Sequence, residues 1–200
     1  MSVISRAILL AAAVALPVAL SPSSASAQQS TADQIASAVL VLPKEMQAGA
    51  GVLGYRTPGK LEVLRPAKNG MLCLADDPAV EEFHVACYHE SMEPFMARGR
   101  SLRAAGTKGT AVDSVRYAEV KAGKIKMPTA PASLYQIFAP KDAYNAAAGS
   151  FTSGRVVTVV YIPYATEAST GISAKSSATQ PWLMFPGTPK AHIMFSSSMR

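Results

Sequence analysis

The longest apolar run in this chain lies at its very start, and it sets the conditions under which everything after it must fold. Arg6 is the only charged residue before Asp33. From Ala7 to Leu20 the chain is apolar, interrupted only by the turn-prone Pro17, and Ser21-Pro22-Ser23-Ser24 then leads into the small-residue triplet Ala25-Ser26-Ala27. A basic start, a short apolar stretch and an A-x-A site are the three parts of a secretory signal. The stretch is too short for a spanning helix, which needs about 20 residues. It therefore predicts cleavage after Ala27, with Gln28 first in the mature chain and residues 1–27 as signal peptide. No cysteine occurs before Cys73, so no N-terminal cysteine is available for a lipid anchor. The expected destination is periplasmic or secreted.

Cleavage would remove Arg6 and no acidic residue, leaving 18 basic against 13 acidic side chains, a charge of +5. Residues 28–200 suffice for one globular domain with a closed core. The most apolar later stretch, Val156 to Ile162, has only the length of a strand, so no membrane span is expected after cleavage. The basic residues cluster at Arg98, Arg100, Arg103 and Lys108. No aromatic residues interleave with them as a single-strand binder requires, and export removes the protein from genomic partners, so no nucleic acid is expected. Cations near a helix C-terminus complement its dipole, the plainer account of this cluster.

Export also bears on the two cysteines, Cys73 and Cys87. An even count with none left over, in an oxidising compartment, predicts one disulfide. A loop this short is worth roughly 3 kcal/mol in the chain-entropy view.

Local patterning predicts the elements. Residues 52–74 read as two or three antiparallel strands: Val52 to Arg56, a Thr57-Pro58-Gly59 turn, Leu61 to Leu64, an Asn69-Gly70 turn and Met71 to Leu74. Ile35 to Leu42 fits a short helix or strand. Asp77-Pro78 resembles an N-cap with proline at the first helical position, which predicts a helix from Val80 to about Ser91 carrying Cys87 back to Cys73. Further helices are expected from Pro94 to Ala105 and from Thr110 to Ala122. Ser133 to Ala139 and Arg155 to Pro163 read as strands, and Trp182–Phe185 with His192–Phe195 as a closing hairpin. The expected class is α+β, a single domain with a mostly antiparallel sheet and two or three helices in the middle of the chain.

The familiar catalytic patterns are missing. There is no G-x-S-x-G elbow, no S-x-x-K and no H-E-x-x-H, since His89-Glu90 is followed by Ser91-Met92-Glu93. On a helix His84 and Cys87 would share a face while His89 points elsewhere, and a disulfide-bonded Cys87 is no thiolate ligand, so no metal site is expected. His84 and His89 read as ordinary, partly exposed helix residues. Gly49 to Gly54 matches G-x-G-x-x-G, but Pro58-Gly59 leaves no room for the helix that would hold a pyrophosphate. Gly59-Lys60 is followed by Leu61, where a phosphate loop needs Ser or Thr. These glycines serve turns and tight packing, and no cofactor is expected.

The most distinctive stretch is Gln180-Pro181-Trp182-Leu183-Met184-Phe185-Pro186-Gly187-Thr188-Pro189-Lys190-Ala191-His192-Ile193-Met194, which contains the sole tryptophan. Together with Asn69-Gly70-Met71-Leu72-Cys73 and Ile162-Pro163-Tyr164-Ala165-Thr166, it resembles a family of small exported bacterial proteins ending in a P-W-[LV]-M…G-T-P-x-A-H-x-M pattern. The resemblance implies export and a single domain, and carries no activity. It directs attention to Trp182, His192 and Asn69 as ligand-binding candidates. Trp182 and Met184 would line a pocket in which His192 supplies a polar anchor or a proton. Alternatively the tryptophan and methionines fill a core. The functional expectation is a non-enzymatic envelope protein binding a small molecule or an envelope protein. The alternative is a hydrolase or isomerase with His192 as its catalytic residue.

Overall fold

A computed structural model describes residues 29–198, with side chains as far as Phe195. The signal peptide expected at residues 1–27 and the Ala27 cleavage site lie outside the described residues.

The first helix, α1 (Thr31–Val39), starts where Ser30 Oγ accepts the backbone N–H of Asp33 at 3.1 Å. Such a cap satisfies an orphan donor, and Asp33 suits the positive end of the dipole. Gln34, almost fully buried, clamps the backbone of Tyr55 in both directions at 2.8 Å: Nε2 donates to the Tyr55 carbonyl and Oε1 accepts the Tyr55 N–H. Gly54 permits that approach, because a Cβ there would stand 2.6 Å from Gln34 Oε1 and 2.5 Å from Leu64 Cδ1. A short α2 (Lys44–Gln47) follows.

The strands β1 (Gly51–Thr57) and β2 (Lys60–Arg65) form the expected hairpin. The third, β3 (Met71–Leu74), pairs with β1 in parallel, so the chain crosses over β1 rather than turning back at Asn69-Gly70. The expected antiparallel set over 52–74 is corrected there. Gly70 has φ +75°, and Asn69 Oδ1 accepts the Met71 N–H at 3.2 Å, which makes the pair a crossover corner.

The helix expected from Val80 to Ser91 is instead a strand, β4 (Phe83–His89). Phe83, Val85 and Cys87 face one core, and Ala86 and Tyr88 are buried on the other side, so the segment lacks the alternation of a half-exposed strand. Asp77-Pro78 caps a turn, with the Ala79 N–H on Asp77 Oδ1 at 2.9 Å and the Val80 N–H on the Asp77 carbonyl at 3.1 Å. Cys73 and Cys87 stand directly opposite on β3 and β4 and are disulfide-bonded, with Cα atoms 3.9 Å apart.

A 3-10 turn (Glu90–Met92) leads into α3 (Glu93–Ala104), and α4 (Thr110–Lys121) follows, both close to expectation. Next come β5 (Ala132–Ala139), a small hairpin of β6 (Tyr144–Asn145) and β7 (Ser150–Phe151), and β8 (Arg155–Tyr161). The chain ends with α5 (Glu167–Thr170), β9 (Trp182–Met184) and β10 (His192–Ser198). The main sheet has the order β2-β1-β3-β4-β5-β8-β10-β9 and is antiparallel except for β1 with β3. The class is α+β.

The sheet has a core on each face. Helix α1 packs over Val52, Cys73, Phe83, Val85 and Ile137. Helices α3 and α4 close the opposite face over Tyr88, Leu134, Val157, Val159 and Tyr161. A smaller cluster of Ala165, Leu183, Ala191 and Ile193 holds the β9–β10 end. Among the described residues no helix is long and apolar enough to cross a membrane.

Candidate functional site

Two of the distinctive segments meet at one corner of the sheet. Past the end of β8, the Tyr164 N–H donates to the Thr188 carbonyl at 2.9 Å, and the Gly187 N–H donates to the Ala165 carbonyl at 2.8 Å. Thr188 folds back on its own turn, its hydroxyl donating to the Phe185 carbonyl at 2.8 Å. Below the corner, the Ile162 N–H binds the Ala191 carbonyl at 3.0 Å. Helix α5 steadies the approach with a reciprocal cap between Thr166 and Ser169.

This stitching holds two aromatic residues in left-handed backbone, Tyr164 at φ +65° and Phe185 at φ +54°. They are the only non-glycine residues with positive φ among those described. The left-handed region costs a residue with a Cβ roughly 1–2 kcal/mol. Both side chains are nevertheless exposed, Tyr164 by 53% and Phe185 by 36%. Strain of this kind persists only where surrounding bonds over-determine it.

His192 lies beneath Phe185 and is 5% exposed. Its ring centroid is 5.7 Å from that of Phe185 and 4.9 Å from that of Tyr161. Nδ1 is 2.7 Å from the Lys190 carbonyl, so Nδ1 carries the hydrogen and donates it. Burial, with the nearby Lys190 charge, lowers the imidazole pKa, and the carbonyl bond only partly opposes it. Among the described residues no acid, hydroxyl or second histidine is hydrogen-bonded to the ring. The relay that a histidine-based nucleophile needs is therefore not assembled there.

Helix α4 ties into the corner through charge. Lys190 Nζ is 2.9 Å from Asp113 Oδ2 and 4.4 Å from the centroid of the Phe185 ring. Arg116 also pairs with Asp113. Its guanidinium is buried 3.9 Å over the Phe95 ring, with Nη1 donating to the Phe95 carbonyl at 3.2 Å. Burial by itself would raise the Asp113 pKa, but hydrogen bonds from Lys190 and Arg116 outweigh it and hold the carboxyl below its usual value. Tyr117 reaches Thr188 from the same helix. Burial pushes Tyr161, beside His192, up to about 12.

The three residues singled out in the sequence do not form one site. Trp182 pairs with Met194 and His192 with Met184, which places Trp182 and His192 on one face of adjoining strands, with Trp182 half-buried. Asn69 is elsewhere. Its Nδ2 donates to the Met46 carbonyl at 2.8 Å, fixing α2 to the start of β3. Three strands separate β3 from β10, a span of about 19 Å at the usual strand spacing.

Other expectations change with the elements that carry them. His84 and His89 sit on or at the end of β4, not on a helix. His84 stacks on Phe138 at 4.4 Å and its Nε2 meets Gln136 Oε1 at 3.2 Å, while His89 Nδ1 meets Ser91 Oγ at 2.8 Å. Among the described residues no group of three His, Cys, Asp or Glu side chains is placed to hold a metal ion. In the basic cluster, Arg98 forms a two-pronged pair with Glu119 at 2.6 and 2.8 Å, and Arg100 pairs with Glu93 at 2.6 Å.

Sequence reasoning missed Asp113, Arg116, Tyr164, Phe185 and Lys190. Tyr164, Phe185 and Lys190 lay inside segments already marked as distinctive. Nothing local marks Asp113 and Arg116, whose roles arise from what the corner brings to α4. Comparison with protein-family models, with curated proteins and with solved structures finds no match for this chain.

Proposed function

We propose that this is an exported, non-enzymatic binding module of the cell envelope, and that it engages a protein partner through the Tyr164–Phe185 corner. The observation behind this reading is the pair of exposed aromatic residues held in left-handed backbone by a closed set of main-chain hydrogen bonds. Rigid aromatic side chains anchor protein interfaces at low entropic cost. Tyr164 and Phe185 are both exposed, which suits insertion of the corner into a partner's pocket. Export rests on the N-terminal signal pattern and agrees with the disulfide.

A photo-crosslinking residue placed at position 185 in cells that make the protein tests this reading, with the exposed Val63 position as control. The expected result is one adduct of defined mass that depends on Tyr164 and is absent from position 63. Identical adducts from both positions, or none from either, would overturn the partner reading. Fractionation tests export separately: the expected mature chain starts at Gln28 and is found outside the cytoplasm, and an intact cytoplasmic chain contradicts it.

A further inference from the structure

On the face that carries α3 and α4, a cleft of about 140 Å³ opens between Arg100 of α3 and the residues Tyr55 of β1 and Leu61 of β2. It is distinct from the Tyr164–Phe185 corner, with β4, β5 and β8 in between. Leu61 and Leu74 supply apolar wall from the strands, and Val80, 49% exposed, supplies it from the 75–82 loop. The volume is well below the ~300–1,000 Å³ of drug-sized pockets, so an occupant would have only a few carbon atoms.

The charges around the cleft select the occupant. Asp76 is neutralised by Lys141 at 2.6 Å and also accepts the His84 N–H at 3.0 Å. Arg100 is neutralised by Glu93 and donates to the Tyr88 hydroxyl at 2.8 Å. His84 has its Nε2 against Gln136. Two carboxylates remain, Asp77 and Glu82, and among the described residues neither has an ion-pair partner. Asp77 accepts the Tyr55 hydroxyl, whose pKa is pushed to about 12 by burial first and by Asp77 second, so the tyrosine stays a donor. The cleft is thus locally negative in a chain whose formal charge is +6. Asp77 Oδ1 also accepts the Ala79 N–H at 2.9 Å, and apolar walls beside two carboxylates that lack an ion-pair partner favour a ligand with an apolar body and one positive end.

We propose that this cleft is a binding site for a small organic cation, a primary ammonium group on a compact branched alkyl body, with Asp77 and Glu82 receiving the ammonium and Leu61, Leu74 and Val80 packing the alkyl end.

Calorimetric titration of the intact mature protein with isopentylammonium tests the proposal, with isopentanol and isovalerate as the neutral and anionic counterparts. The expected result is saturable binding at millimolar concentrations, at least about tenfold weaker for the alcohol and absent for the carboxylate, a tenfold change being one step of 1.4 kcal/mol. Glu82→Gln, a change at an exposed residue, should weaken ammonium binding several-fold with the melting temperature unchanged. Val80→Trp should fill the cleft and abolish binding. Equal binding of amine and alcohol, preference for the carboxylate, indifference to Glu82→Gln, or no saturation by the amine would each overturn the assignment. Should Val80→Trp fail to fold, the ligand series and Glu82→Gln still decide the matter.

Discussion

His192 donates from Nδ1 because the partner of that nitrogen is a carbonyl oxygen, which can only accept. Its pKa is lowered in the folded chain, chiefly by burial. The unfolded chain therefore takes up the proton first as pH falls below about 6.5, and that uptake favours unfolding. The contribution to stability is complete above that value and is lost as pH drops toward the lowered folded pKa. Urea unfolding between roughly pH 7 and pH 5 should show a falling midpoint, and His192→Gln should flatten that part of the slope. Tyr164 provides a second test at this scale. Its side chain is mostly exposed and its backbone is left-handed, so Tyr164→Gly relieves strain while removing little packing. The variant should be about 1 kcal/mol more stable by urea titration, and it should lose the crosslinked adduct formed from position 185. Stability and binding moving in opposite directions is the signature of strain kept for a purpose.

Helix α4 is bound to the C-terminal hairpin by a charge chain, Arg116 to Asp113 to Lys190, rather than by apolar contact alone. Arg116 is buried, and its Nε is the one buried side-chain polar atom among the described residues without a hydrogen-bond partner. Asp113→Asn would leave that guanidinium buried without a counter-charge. Removing one partner of a buried pair costs about 3–5 kcal/mol, so chemical denaturation should show a loss of that order, greater than for Lys190→Met, which leaves the Arg116–Asp113 pair in place. Helices α3 and α4 were readable because proline near the first turn and terminal glycines punctuate them. Strand β4 was misread because it is buried on both faces and follows an Asp-Pro pair. Periodicity does not separate such a strand from a helix, and its neighbours β3 and β5 decide.

At the scale of the whole molecule, one sheet carries both cores, and the disulfide crosses its middle between β3 and β4. The residues it joins are 14 apart in sequence, and both are fully buried. Replacing both with alanine should lower unfolding free energy by roughly 3 kcal/mol, read from the shift in denaturant midpoint. Intact mass under non-reducing conditions should fall two hydrogens short of the reduced chain. The pairing of these cysteines could be anticipated from their number alone; that both sit on strands could not.

The sequence by itself determined what local chemistry can decide: the α+β class, α3, α4 and the closing hairpin, the pairing of the two cysteines and the absence of familiar catalytic spacings. Turn residues, caps and apolar periods act over a few positions, so they can be read from a few positions. Only the tertiary structure decided that β3 runs parallel to β1, that Asn69 is far from His192, that Asp113 and Arg116 serve the corner, and that Asp77 and Glu82 share a cleft. Those facts depend on pairings between distant segments, and each pairing is chosen by the burial and hydrogen bonding of the whole sheet rather than by any residue's neighbours in the chain.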